Sequence, residues 1–169
     1  MIRRIALSLG LCLAGAGLSA ATAAPVTAQQ EPQAQCRQDA VQLRGDWGTA
    51  RFSVELAQSP GERAKGLMNR PSMRMSHGML FVYPMPQPDV AFWMRNTLIP
   101  LDIIYMDATG TVQRIAAEAK PHDDTPLPGG AGIQFVLEIN GGLAAAMGIV
   151  PGSQLRHPAI PQDKAAWPC

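Results

Sequence analysis

The amino-acid sequence predicts a mainly β protein: an antiparallel β sandwich or half-open barrel of about seven to nine strands, with two short helices. Three observations predict this class. Short apolar runs rich in Val, Ile, Phe and Tyr recur along the chain, as in buried strands. Residues that interrupt helices separate these runs, most clearly Pro84, Pro86, Pro88 and Pro100. Within several runs apolar and polar residues alternate, which is typical of a strand with one buried face.

The first part of the domain is predicted to form a hairpin and then a helix. AVQLRG, which begins at Ala40, and TARFSVELA, which follows it, have strand character and are joined by a Gly-Asp-Trp-Gly turn. Ser59 precedes Pro60, and Glu62 lies three residues after the serine, which is the signature of a capping box. A short helix is therefore expected over residues 60–68.

The remainder of the domain is predicted to consist mostly of strands. GMLFVY, AFWMRN and LDIIYMD follow one another, and LDIIYMD is apolar on both faces apart from Asp102, so it is expected in the middle of the sheet. A turn over residues 107–110 joins it to TVQRIAAEA as a hairpin. The Pro- and Gly-rich residues 120–132 predict a mobile loop, and the alternation in residues 133–139 predicts a half-buried strand. A helix over residues 142–148 and the short strand SQLRH complete the domain.

Four motifs carry a family resemblance. They are GLM at 66–68, GMLF at 78–81, FWMRNTLIPLDIIYMD at 92–107 and FVLEI at 135–139. Their order resembles that of the domain-of-unknown-function family 192, found in bacteria and archaea, over roughly residues 50–157. The resemblance implies a compact, mostly β domain, and it implies no established activity, cofactor or catalytic residues.

The N-terminal residues have the features of a secretory signal peptide, predicted over residues 1–24. Arg3 and Arg4 precede an apolar run that is too short to span a bilayer, and an Ala-x-Ala sequence follows at residues 21–23. We therefore expect an exported protein, periplasmic or extracellular, with no stable membrane span after cleavage. The predicted organisation continues with three segments: a disordered polar leader over residues 25–39, a single β domain over residues 40–158 and a C-terminal tail over residues 159–169.

The charge of the chain argues against nucleic acid as a partner. The sequence has 14 basic and 13 acidic residues. Removal of Arg3 and Arg4 with the signal would leave 12 basic residues against those 13 acidic ones, a net charge of −1. Nucleic-acid binding depends on basic patches that displace counterions, and such a composition does not favour them.

Two cysteines remain in the predicted mature chain, Cys36 and Cys169. An even number of cysteines in an oxidising compartment predicts a disulfide between them. Two alternatives stay open at this stage: a pair of free thiols on the two tails, or intermolecular pairing into a dimer.

A first candidate site consists of polar residues in an otherwise apolar region. Asn96, Thr97, Asp102 and Glu138 are its members, because a buried carboxyl or amide is costly unless it is hydrogen-bonded. Arg63 is a candidate counter-charge, and Trp93 a candidate aromatic wall. These residues either stabilise the fold through backbone contacts or form a shallow polar pocket for a small ligand or a protein partner. The sequence thus favours a binding or accessory module.

Catalysis is a third interpretation, as a hydrolase-type enzyme, but the sequence contains no G-x-S-x-G, H-E-x-x-H or C-x-x-C motif.

The second interpretation is a periplasmic protein that binds a soft metal. Met73, Met75, His77 and Met79 would lie on one face of a strand, and such donors suit Cu(I). Methionine also fills irregular cores, so ordinary packing explains the same pattern.

Overall fold

The structure, a computed structural model, describes residues 36–169. The predicted signal peptide and residues 25–35 of the predicted leader lie outside the described residues. Within residues 36–169, no helix combines the length and apolar character that a membrane crossing requires.

Nine strands and two helices make up the described part of the chain. In chain order they are β1 (Ala40–Gly45), β2 (Gly48–Ala57), α1 (Pro60–Lys65), β3 (His77–Gln87), β4 (Val90–Phe92), β5 (Leu101–Asp107), β6 (Val112–Ala119), β7 (Leu127–Gly130), β8 (Ile133–Asn140), α2 (Leu143–Met147) and β9 (Gln154–Arg156). Both helices begin within three residues of the predicted positions. The elements confirm the predicted mainly β class with two short helices.

Seven strands form one curled sheet, a half-open barrel, in the order β6-β5-β8-β3-β2-β1-β9. Strands β4 and β7 pair with each other in a second, small sheet. All pairs are antiparallel except β2 and β3, which are parallel. A parallel pair needs a crossover connection, and α1 with the segment after it provides that crossover.

The middle strands of the large sheet are buried on both faces, and an apolar cluster covers each face. In β5, Leu101, Ile103 and Tyr105 belong to one cluster, whereas Ile104 and Met106 belong to the other. This confirms the alternation predicted for β5.

The prediction that residues 133–139 form a half-buried strand was wrong. Every residue of this segment is buried, because β8 lies between β3 and β5 and both faces of the sheet are covered there. Its polar residues, Gln134 and Glu138, are therefore buried as well.

The predicted strand AFWMRN and the predicted loop over residues 120–132 also need correction. The strand ends at Phe92, and β7 lies inside the predicted loop and pairs with β4. Gly129 makes this possible, because a Cβ at that position would collide with the ring of Tyr105. The Tyr105 hydroxyl in turn donates a hydrogen bond to the Leu127 carbonyl, at 2.6 Å.

The two ends of the described chain are joined. Cys36 and Cys169 form a disulfide with their Cα atoms 5.6 Å apart, which confirms the predicted intramolecular pairing. In the tail, Ile160 is buried, and the Trp167 ring lies 4.6 Å from the Arg44 guanidinium and 4.5 Å from that of Arg156. The C-terminal tail is thus packed on the strands β1 and β9.

Candidate functional site

A pocket of about 280 Å³ opens between α1, β3 and β4, with Glu138 of β8 in its lining. We call it the Glu138 pocket. Its lining consists of residues 63–68 and 91–93 together with Phe81, Tyr83, Thr97 and Glu138.

Helix α1 and its C-terminal end form one wall of the pocket. A capping box starts the helix: the Ser59 hydroxyl accepts a hydrogen bond from the Glu62 N–H at 3.2 Å, and the Glu62 carboxylate accepts one from the Ser59 N–H at 2.8 Å. The helix ends at Gly66, which has a φ of 47°. A Cβ on Gly66 would lie 3.2 Å from the Phe81 ring. The end of the helix therefore lies directly against the aromatic lining.

Arg63 lies at this wall with its guanidinium already engaged. Its Nη1 donates hydrogen bonds to the backbone carbonyls of Gln58 and Val82, the latter at 3.0 Å. The guanidinium carbon also lies 4.9 Å from the centre of the Tyr83 ring. Among the ion pairs of residues 36–169, none joins Arg63 to Glu138. Arg63 and Glu138 therefore line the same pocket, but Arg63 does not serve as the counter-charge that the sequence suggested.

Glu138 is the most unusual polar group of the pocket. Its side chain is 4% exposed, and within the described residues its Oε2 atom has no hydrogen-bond partner. Burial raises the pKa of Glu138 to about 8, because the charged form loses its hydration. The carboxyl is therefore mostly protonated at neutral pH. Its cross-strand neighbours are apolar, Met79 on β3 and Ile103 on β5.

Aromatic rings form much of the remaining wall. Phe81 and Phe92 meet edge to face with ring centres 4.9 Å apart, and Phe92 meets Tyr105 in the same way at 5.9 Å. Trp93 is 47% exposed at the mouth. The Arg95 guanidinium lies 4.3 Å from the Trp93 ring centre and pairs with Asp124, which holds both side chains beside the entrance.

Thr97 and Asn96 occupy a turn beside the pocket. Thr97 is 5% exposed and lines the pocket, and its hydroxyl donates to the Arg95 carbonyl at 3.4 Å. Asn96 is exposed, with a φ of 53°, and its carbonyl accepts a hydrogen bond from the Asn69 N–H at 2.8 Å. The turn is therefore tied to the segment after α1, and Asn96 contributes to the site through its backbone.

Asp102 lies on the other face of the sheet from Glu138. Ile103, its neighbour in β5, is the residue that stands opposite Glu138, and successive residues of a strand point to opposite faces. The Asp102 carboxylate accepts three backbone hydrogen bonds, from Glu118 at 2.8 Å, Gly142 at 3.0 Å and Ala144 at 2.7 Å. These contacts match the interpretation in which Asp102 stabilises the fold through backbone hydrogen bonds. The structure thus separates the two carboxyl groups that the sequence placed in one set.

The candidate copper residues do not share one strand face. Met73 and Met75 precede β3, and a turn closed by the His77 N–H and the Arg74 carbonyl, at 2.9 Å, separates them from the strand. Met75 is 60% exposed, whereas Met79 is buried in the apolar cluster beside Glu138. Within residues 36–169, no group of three or more His, Cys, Asp or Glu side chains is arranged to hold a metal. The strand spacing on which the copper argument depended is therefore absent.

Sequence reasoning missed Phe81, Phe92 and Lys65 as lining residues. Phe81 lies two residues before Tyr83 on β3, so the spacing alone places both rings on one face. Lys65 of α1 had no comparable signal, because the position of a helix against a sheet depends on tertiary packing.

The fold and the pocket together define a class of protein: a small, mainly β domain whose half-open barrel carries a pocket of ligand size with a buried acid. This chain belongs to the domain-of-unknown-function family 192 (DUF192), described as an uncharacterized ACR, whose profile matches residues 41–157. The match confirms the resemblance found in the sequence motifs.

Two solved structures are similar to the chain. A protein of unknown function from Novosphingobium aromaticivorans DSM 12444 is 47% identical, with a TM-score of 0.67 over 69% of this chain and 82% of that chain. A protein from Sinorhizobium meliloti 1021, described as a "putative transcription regulator", is 34% identical, with a TM-score of 0.67 over 73% of this chain and 96% of that chain. No curated protein matches this chain.

Proposed function

We propose that this protein is an exported binding module that holds a small ligand in the Glu138 pocket. One observation carries the proposal: a carboxyl that is 4% exposed lines a pocket of about 280 Å³ while its Oε2 atom has no hydrogen-bond partner within the described residues. Buried polar atoms in proteins are normally hydrogen-bonded. A ligand that bonds to this oxygen would remove the anomaly.

The contrast with Asp102 supports a binding role for Glu138 over a purely structural one. Both carboxyl groups are buried, but the three backbone N–H groups around Asp102 account for its burial. Within residues 36–169, the Oε2 atom of Glu138 bonds to no turn or helix end. Its surroundings are instead typical of a ligand site, with aromatic walls and a small number of polar groups.

Catalysis receives less support from the same geometry. A lone acid needs a second group to activate or to receive the reacting atom. The buried Thr97 hydroxyl in the pocket lining donates to the Arg95 carbonyl, and the Tyr105 hydroxyl, which interacts with Glu138, donates to the Leu127 carbonyl. Binding therefore requires fewer additional assumptions than a hydrolase mechanism does.

The location of the protein forms part of the proposal. The disulfide between Cys36 and Cys169 supports export, because disulfides persist in oxidising compartments. Cell fractionation followed by non-reducing electrophoresis tests this point. An oxidised protein in the exported fraction is the expected result, and a reduced protein in the cytosol contradicts export.

Native mass spectrometry of the untagged protein from its own cells tests ligand binding. A retained small molecule is the expected result, and its affinity should fall at least about tenfold in Ala64→Trp, which places a large ring at the pocket wall. Ala146→Trp is the matched control: Ala146 is also an exposed helical alanine, but α2 packs against the opposite face of the sheet. A protein that retains no ligand, or whose ligand responds equally to both substitutions, contradicts the proposal.

A further inference from the structure

The chemistry of the Glu138 pocket also indicates which class of ligand it takes. Building on the proposed binding function, we propose that the ligand carries a protonated amine. The amine pairs with the Glu138 carboxylate, and the carbon skeleton lies against Phe81, Phe92 and Trp93.

The first argument concerns what the buried oxygen lacks. Within the described residues, the Oε2 atom of Glu138 has no donor, and no cation of the chain forms an ion pair with it. The neutral acid needs no counter-charge, but its ionised form does, because buried charges in proteins are paired. An ammonium group supplies both missing features, a positive charge and up to three N–H donors.

The second argument concerns the choice of a carboxyl over an amide. A glutamine at this position could bond to a neutral ligand without the cost of burying an acid. A carboxyl adds the ability to carry a negative charge, and that charge is useful to a cationic ligand alone. A buried acid whose own Oε2 atom has no hydrogen-bond partner within the described residues therefore favours an amine ligand over an alcohol or an amide.

The third argument is that the pocket offers less to an anionic ligand than to an amine. Arg63 is the pocket cation closest to the sheet, but two backbone carbonyls and the Tyr83 ring already engage its guanidinium. Lys65 is exposed in the last turn of α1, where its charge is solvated and complements the helix end. Neither cation is both buried and without a partner. Glu138, in contrast, is buried and its Oε2 atom has no hydrogen-bond partner within the described residues.

The aromatic walls supply the fourth argument, because ring faces attract cations. The chain itself shows this twice at the pocket: Arg63 lies over Tyr83 at 4.9 Å, and Arg95 lies over Trp93 at 4.3 Å. Phe81 and Phe92 extend the aromatic surface toward Glu138. An ammonium on its way to the carboxylate thus passes along rings that stabilise it.

Binding of an amine should release a proton. At neutral pH Glu138 is mostly a neutral acid, so the O–H bond breaks, the proton leaves to solvent, and the carboxylate that remains pairs with the ammonium. Affinity therefore follows the ionised fraction of Glu138. Between pH 6 and pH 8 that fraction, and with it the apparent affinity, should rise on the order of 50-fold.

Other groups that face Glu138 should contribute little to this pH dependence. The charged groups of α1 in the pocket lining are Arg63 and Lys65. Burial raises the pKa of Tyr83 on β3 and that of Tyr105 on β5, so both stay neutral. His77, earlier on the same face of β3, interacts with Glu55. Any effect of His77 on the pH dependence of the affinity remains in Glu138→Gln. It can therefore be subtracted from the pH dependence of the wild type.

Three probes of similar size test the inference on the folded chain: benzylamine, benzyl alcohol and benzoate. Nuclear magnetic resonance titrations, followed at the indole N–H of Trp93, report binding at the pocket. Benzylamine should bind best, its affinity should rise from pH 6 to pH 8, and Glu138→Gln should weaken it at least about tenfold. Calorimetry of the wild type in buffers of different ionisation enthalpy should show proton release, which gives a readout that requires no variant.

The outcomes separate this inference from the proposed function. Benzoate or benzyl alcohol binding better than benzylamine, with Glu138→Gln unchanged, overturns the amine while the pocket remains a ligand site. If benzylamine at pH 8 does not change the chemical shift of the Trp93 indole N–H, the amine proposal is also overturned. The comparison of Ala64→Trp with Ala146→Trp, made on the endogenous ligand, then decides whether the pocket binds molecules of another class.

Discussion

At the scale of single residues, the burial of Glu138 should make stability depend on pH. Its pKa rises from 4.5 to about 8, so between these pH values the folded protein holds a proton that the unfolded chain has lost. The free energy of unfolding should therefore decrease as the pH rises through this window, by roughly 3 to 5 kcal/mol in total. Urea denaturation at intervals from pH 4.5 to pH 9 measures the decrease.

Glu138→Gln serves as the control for this prediction. It keeps the size of the side chain and cannot ionise, so its stability should decline much less over the same window. Burial lowers the pKa of His157, which acts in the opposite direction as the pH rises toward 6.5. Because His157 is present in both proteins, the difference between them isolates Glu138. Parallel curves for the two proteins would contradict the assignment.

Asp102 should behave as a structural carboxylate. Asp102→Ala leaves three backbone N–H groups, the buried one of Ala144 among them, without this acceptor and should lower the free energy of unfolding by about 2 to 4 kcal/mol. Asp102→Asn keeps one acceptor oxygen and should cost less. Urea denaturation at pH 7 measures both.

A matched surface variant completes the Asp102 experiment. Asp124→Ala removes a carboxylate that pairs with Arg95 in an exposed position, and this should cost clearly less than Asp102→Ala because solvent screens the pair. If Asp102→Ala left stability unchanged and abolished ligand binding, Asp102 would be a functional residue, as the sequence also allowed.

At the scale of elements, β7 depends on the absence of a side chain at Gly129. Gly129→Ala places a methyl group in the Tyr105 ring, so either the ring or the strand must move. We expect a loss of about 1 to 3 kcal/mol, the range for overpacking, together with faster amide exchange in β4 and β7. Urea denaturation and hydrogen exchange measure the two effects.

Gly61→Ala is the control for this substitution. Gly61 lies in α1, and a Cβ there would meet no other atom within 4 Å. Alanine is the better helix former, so this variant should be as stable as the wild type or more stable. Equal losses in both variants would show that the ring of Tyr105 does not restrict β7.

At the scale of the whole molecule, the disulfide joins residues 133 positions apart. Replacement of both Cys36 and Cys169 by serine should lower stability by up to about 5 kcal/mol, because the unfolded chain regains the entropy of an open loop. Thermal unfolding measures the loss. Trp167 fluorescence should also change if the tail leaves its position between the guanidinium groups of Arg44 and Arg156.

Electrophoresis without reducing agent provides the control for pairing within one chain. The oxidised wild type should migrate faster than the reduced protein, as a monomer, and the double serine variant should show no such difference. A dimer that disappears on reduction would indicate pairing between chains and contradict the observed connection.

Much of the fold could be predicted because its signals are local. The capping box of α1 lies within four consecutive residues, and the alternation of β5 repeats every second residue. The failures were at β4, which is shorter than predicted, at β7 and at β8. A sequence shows that a strand alternates, but it does not show whether a second layer covers the polar face, as happens to β8 between β3 and β5.

The sequence alone predicted the class of fold, the two helices and a small set of candidate polar residues. It also predicted a disulfide between the two cysteines, but only the structure decided between that bond and the two alternatives left open. Tertiary structure decided which of those residues meet. Asp102 and Glu138 stand out equally in the sequence, yet the register of β5 against β8 places them on opposite faces, one among backbone N–H groups and the other in a pocket. The reason is physical: alternation within one strand shows which residues share a face, but which strands become neighbours depends on contacts between residues far apart in the chain.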